Sequence, residues 1–120
     1  MKIEFLETGD SLIAELISDD IEIRNPQQAL DLMMDCAYQG AESLIIHEHN
    51  LAPEFFDLKT GLAGKILQKF SNYRMRLAIV GNFGKYPGKS LKDFIYESNK
   101  GGRIYFVDSA EHARKALSRK

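Results

Sequence analysis

Three short passages bring together side chains able to do chemistry. The first is His47-Glu48-His49. In an extended chain His47 and His49 share one side, a spacing that could chelate a metal ion or serve general acid–base work. Glu54 and Asp57 follow closely enough to extend such a set. No third histidine follows at helical spacing, Cys36 falls on another element, and no serine or cysteine nucleophile stands beside the pair. The passage reads as polar residues closing a strand, so no catalytic residue, metal site or cofactor is expected.

The second passage is Gly81-Asn82-Phe83-Gly84-Lys85-Tyr86-Pro87-Gly88-Lys89-Ser90. Its Gly-Lys-Ser ending invites comparison with a phosphate-binding loop, in which backbone N–H groups cradle the phosphates. The match fails, because that pattern needs a glycine where Phe83 stands, and Pro87 removes a backbone donor. A helix start with Lys89 beside it could still hold one phosphate or acidic side chain. With the first passage it defines a candidate anion or small-ligand crevice of His47, His49, Asn82, Lys85, Lys89 and Ser90.

The third passage is Phe56-Asp57-Leu58-Lys59-Thr60-Gly61-Leu62-Ala63-Gly64. Thr60 stands where a helix should begin and serves as an N-cap, while Gly61 and Gly64 would let that helix approach its sheet closely. A phosphoryl group on Thr60 would gain from the helix N-terminus and add nearly two negative charges to a contact surface. Thr60 is the candidate phosphoacceptor, and Asp57, Lys59, Gly61 and Leu62 are the candidate partner surface.

The elements that must position these passages are legible in the periodicity. Residues 2–7 and 12–17 alternate apolar and polar side chains around Thr8-Gly9-Asp10, which predicts a hairpin. Asn25-Pro26 pairs a favoured N-cap with a favoured first helical residue, opening a helix to about Gln39 with Gly40 as its stop. Its polar stripe is Gln27, Asp31, Asp35 and Gln39, leaving Leu30, Met33, Met34 and Ala37 as the expected buried stripe. The solid run Ser43–Ile46 reads as a buried parallel strand. A connection over 48–57 with a helical turn near Pro53 leads to a helix over about 60–72, with Ala63, Ile66, Leu67 and Phe70 inward. Arg76–Val80 is the clearest strand. A helix over about 90–98, opened by a Ser90/Asp93 capping box, turns Leu91, Phe94 and Ile95 inward. Arg103–Val107 is the last strand. An Asp108/Glu111 capping box opens a final helix to about Arg119.

The order is β-β-α-β-α-β-α-β-α. It predicts an α/β domain spanning 1–120, with a mostly parallel central sheet of about five strands and an N-terminal antiparallel hairpin. In such sheets ligands gather beyond the carboxyl ends of the strands, where the three passages lie.

Composition narrows the function classes. The chain has 120 residues, 44% apolar and 28% charged, which fits one ordinary globular domain and argues against disorder. No apolar run approaches the ~20 residues of a membrane span, and Met1–Phe5 leads into acidic residues rather than a secretory leader. A single cysteine, Cys36, points to a cytoplasmic protein without an internal disulfide. The net charge of −1 argues against nucleic acid as a partner. That total conceals an asymmetry: residues 1–60 carry 13 acidic and three basic side chains, residues 61–120 four acidic and 13 basic. Sixty residues rarely build a core alone and no linker separates the halves, so one domain with an acidic end and a basic end is expected.

The stretch GLAGKILQKFSNYRMRLAIVG, from Gly61 to Gly81, resembles a bacterial family known as domain of unknown function DUF4180. The likeness extends from about Ile13 to Leu117, and its longest cues are FFDLKTGLAGKILQKFSNYRMRLAIVG and KSLKDFIYESN. More distantly, the element order resembles that of STAS domains, the fold of anti-sigma factor antagonists. There a strand is followed by an Asp-Ser-Ser-Gly-Leu type motif that opens a helix. Thr60 matches the position of the phosphorylated serine, just before Gly61-Leu62; Asp57 lies three residues before Thr60 rather than two, and Lys59 replaces a serine. The resemblance implies an STAS-like fold and a phosphoacceptor role for Thr60.

The expected function is a non-enzymatic, cytoplasmic regulatory module that binds another protein. The alternative is a small-ligand domain or small enzyme using the strand-end crevice. A homodimer through the Tyr105-Phe106 strand or the opening hairpin is a third expectation.

Overall fold

The opening pair of strands, β1 (Lys2–Thr8) and β2 (Ser11–Ile17), folds back on itself with Thr8 opposite Ser11 and Gly9 at φ +57° in the connection. The computed structural model describes residues 1–9 and 11–118; Asp10 of the expected turn and Arg119 of the expected last helix lie outside them. β3 (Ser43–His47), β4 (Arg76–Val80) and β5 (Ile104–Val107) then add in parallel, giving one five-stranded sheet in the sequential order β1-β2-β3-β4-β5. Helices α1 (Pro26–Tyr38), α2 (Leu62–Asn72) and α3 (Lys89–Lys100) make the crossovers, and α4 (Ala110–Ser118) ends the fold. The α/β expectation, with a mostly parallel sheet and an antiparallel N-terminal pair, holds.

Alternation along the strands assigns the two faces. Ala14, Leu16, Leu44, Ile46, Leu77, Ile79 and Phe106 pack beneath α1, α2 and α3 in the main core. Ile13, Ile45 and Ala78 point the other way, onto Ala113 and Leu117 of α4. Each large side chain sealed in the core, such as Phe70 or Leu44, stabilises the fold by about 1.5–3 kcal/mol relative to exposure. Arg76 fixes α4: its guanidinium donates to the carbonyls of Ala116 and Leu117 at 3.1 and 3.0 Å, and to the Tyr105 hydroxyl at 2.9 Å. A cation is well placed at a helix C-terminus, where unpaired carbonyls gather.

Several local expectations need correction. The buried face of α1 is Ala29, Leu32, Met33 and Cys36, one residue round from the expected stripe; Met34 and Ala37 are exposed. The small side chains of Ala29 and Cys36 let α1 seat closely, which leaves Met34 at the rim. Ser90 and Asp93 form no capping box, since α3 starts at Lys89 behind Gly88 with no side-chain cap. At α4 the capping group is Ser109, whose Oγ accepts from His112 N at 3.1 Å; Asp108 instead meets the His112 ring. Gly64 does not adjoin the sheet: it is exposed, and a methyl group there would meet nothing within 4 Å.

Because strand order follows sequence order, the acidic half lies along β1–β3 and the basic half along β4 and β5. Among the described residues, the ion pairs Glu15–Arg114 at 3.2 Å and Glu48–Lys85 at 2.8 Å join the halves. Among the described residues no helix is long and apolar enough to cross a membrane.

Candidate functional site

The three passages lie beyond the carboxyl ends of β3, β4 and β5, and Glu48 joins the first two of them. It opens a 3-10 turn, Glu48–Asn50, directly after β3, with its side chain laid over Gly81 at the end of β4. The Glu48 carboxylate accepts from Asn82 N at 3.1 Å and from the Tyr86 hydroxyl, and pairs with Lys85 Nζ at 2.8 Å. Burial alone would push this carboxyl up. The bonds from Lys85, Tyr86 and Asn82 outweigh it and hold Glu48 below the usual carboxylate range. Burial, then the Glu48 bond and charge, push the Tyr86 hydroxyl well above the usual phenol range. Only glycine fits at position 81, since an added Cβ would lie 2.6 Å from Glu48 Cβ and Oε1.

The histidines are committed elsewhere. His47 Nε2 lies 3.0 Å from Glu15 Oε2, and His49 Nε2 lies 2.8 Å from the Ser18 carbonyl. Their rings stack at 5.6 Å. Asn50, fully buried, ties residues 18–23 to this strand end. Its Nδ2 donates to the carbonyls of Ser18 and Asp20, its Oδ1 accepts from His47 N, and its carbonyl accepts from Glu22 N and Ile23 N. A buried amide satisfied this fully is a structural pin.

Thr60 lies on the other side of the same loop cluster. Two 3-10 turns, Pro53–Phe56 and Leu58–Thr60, carry the chain from β3 toward α2. Thr60 ends the second turn and is exposed. Its hydroxyl stands 2.8 Å from both the Glu54 and the Asp57 carbonyl, sharing one proton between them, and accepts from Leu62 N at 3.2 Å. The N-cap of α2 is therefore Gly61 rather than Thr60. Gly61 sits at φ +76°, a left-handed bend that costs other residues roughly 1–2 kcal/mol. That bend separates turn from helix and frees the Thr60 hydroxyl to bind the turn. The Asp57 carboxylate accepts from Lys59 N at 3.2 Å.

The crevice residues divide among three neighbouring hollows. His47, His49 and Lys85 line a cleft of about 520 Å³. Asn82 borders a second, with Asp108 and His112. Asp57, Lys59 and Ser90 line a third, of about 550 Å³, with apolar walls of Pro53, Phe56, Leu58, Pro87 and Leu91. Lys89 stands exposed on the first turn of α3, 4.0 Å from Asp93. Gly61 and Leu62 lie half-buried behind Thr60. Sequence reasoning placed Glu48, Tyr86 and Phe56 in its three passages but gave them no role; the Phe56 ring stacks on Tyr86 at 4.8 Å and joins the cleft to the groove. Gly81, closing a strong strand, was the one sequence signal that a side chain would lie over the strand end. Cys36 takes no part: burial, and secondarily Asp35, push its thiol up to about 11.

The model of a family described as "Domain of unknown function (DUF4180)" matches residues 8–117. No curated protein and no solved structure matches the chain.

Proposed function

The chain belongs to the DUF4180 family, and from that premise we propose that it is a cytoplasmic, regulatory protein-binding module that docks its partner in the groove between residues 53–59 and the start of α3. The observation that carries this reading is Thr60, an exposed residue next to the groove-lining Lys59, whose hydroxyl is bonded to the carbonyl of Asp57, in the groove's wall, and to that of Glu54. A phosphoryl group on Oγ1 would replace the shared proton with about two negative charges beside those carbonyls. Repulsion would open the Leu58–Thr60 turn and reshape the wall. The groove offers an apolar floor with Lys59 at its rim and Lys89 adjoining. It suits a partner segment with acidic side chains beside apolar ones, which phosphorylation would expel. The STAS-like element order and the Thr60-Gly61-Leu62 match support the same reading. The small-ligand alternative has less support, because the cleft's polar side chains already have protein partners: His47 with Glu15, His49 with the Ser18 carbonyl, Lys85 with Glu48.

The test is capture from a lysate of the source organism by the wild type, Thr60→Ser and Thr60→Glu. Thr60→Ser keeps the hydroxyl. A protein held by the first two and lost by Thr60→Glu supports the switch. Equal retention by all three sinks the switch, and no specific protein at all sinks the module.

A further inference from the structure

The two edges of the sheet are treated differently. At the β5 edge the Asn99 side chain acts as a plug. Its Oδ1 accepts from Phe106 N at 2.7 Å and its Nδ2 donates to the Phe106 carbonyl at 3.3 Å. Those are the groups a neighbouring strand would use. No such plug covers β1 among the described residues. Thr8 faces Ser11 across a two-residue connection, so these two exchange backbone bonds, as do Leu6, Glu4 and Lys2 with their β2 partners. Ile3, Phe5 and Glu7 therefore turn their N–H and C=O groups outward. Phe5 is 38% exposed and Leu6 41%.

We infer that β1 is the edge through which two copies of this chain pair, antiparallel about a two-fold axis at Phe5. The occupant follows from register. Outward groups must meet outward groups, so only odd residues can form the bonded pairs. A two-fold at Glu4 would oppose Glu4 to Glu4. A two-fold at Phe5 uses all seven residues of β1: Phe5 against Phe5, Ile3 against Glu7, Glu4 against Leu6, Lys2 against Thr8. No like charges then stand directly opposite, the two Phe5 rings are neighbours, and about six main-chain bonds close the seam. Head-to-tail pairing of β1 with β5 of the next copy is blocked by Asn99. The acidity of residues 1–60 opposes the pairing at long range, so added salt strengthens it.

The test is sedimentation velocity on the full chain over a concentration series at two salt levels. The expected species is twice 13.6 kDa, and more of it at higher salt. Phe5→Lys should raise the dissociation constant by about tenfold or more. A disulfide test stands beside it, independent of how Phe5→Lys folds. The Cα atoms of a bonded antiparallel pair lie about 5.5 Å apart, within disulfide reach. Oxidised Phe5→Cys should give a covalent dimer, and Tyr38→Cys, 94% exposed on α1, should not. A monomer at every concentration with no Phe5→Cys cross-link overturns the inference. So does a folded Phe5→Lys dimer of unchanged affinity.

Discussion

Gly81→Ala isolates the contact on which the loop cluster depends. The new methyl group would lie 2.6 Å from Glu48 Cβ and Oε1, and 3.1 Å from Phe83 Cζ. The backbone cannot retreat without loss, because Gly81 N donates to the Val107 carbonyl at 2.9 Å. Overpacking of this kind costs about 1–3 kcal/mol. If Glu48 yields instead, its bonds to Asn82, Lys85 and Tyr86 go, and charge-assisted bonds contribute roughly 1.5–3 kcal/mol, less for the exposed Lys85 end. The expected destabilisation is about 2–4 kcal/mol, a fall in melting temperature of roughly 6–20 °C for a chain of this size. Urea unfolding of the wild type, Gly81→Ala, Glu48→Gly and the double variant reads it directly. The contact makes the two substitutions sub-additive by about 1 kcal/mol or more. A Gly81→Ala melting temperature within about 2 °C of wild type, or strictly additive losses, would refute the reasoning.

Gly64→Ala gives the opposite sign: the methyl group meets nothing and α2 gains about 0.5–1 kcal/mol, read as a raised melting temperature. Glu48, held below its ordinary range, contributes stability that is present above the unfolded carboxylate value and lost as pH falls through its folded one. Tyr86→Phe removes one of the bonds that set this, so its melting temperature should fall less than that of wild type on acidification. At the other end of the scale, Tyr86 contributes stability present below the ordinary phenol value and lost as pH rises beyond it. Cys36, buried with its thiol pushed up to about 11, should resist a thiol reagent in the native protein and react at once in denaturant.

The central strands were legible because they are buried runs: Leu44–Ile46 and Leu77–Ile79 can be little else between helical periods. Asn25-Pro26 marked α1 for the same local reason, and Asn25 does accept from Gln28 N at 2.9 Å. What failed depends on distance in the chain. Glu48 meets Asn82 and Tyr86 across more than 30 residues, and nothing near Glu48 separates a clasp from a solvated acid. The rotation of α1 is set by which neighbours it meets, and Ala29 and Cys36 read as neutral until α2 and the sheet are in place. Thr60 was expected to cap α2. The left-handed Gly61 between it and α2 turned an expected cap into a clasp on residues 54–57.

The most direct test of the docking groove places a photoreactive amino acid at Lys59, on its rim, and in a second protein at Tyr38, exposed on α1. Each is irradiated in the source organism's lysate. The account predicts one discrete protein adduct from position 59, lost when Thr60→Glu is added, and none from position 38. The same adducts from both positions, or none from position 59, would contradict it.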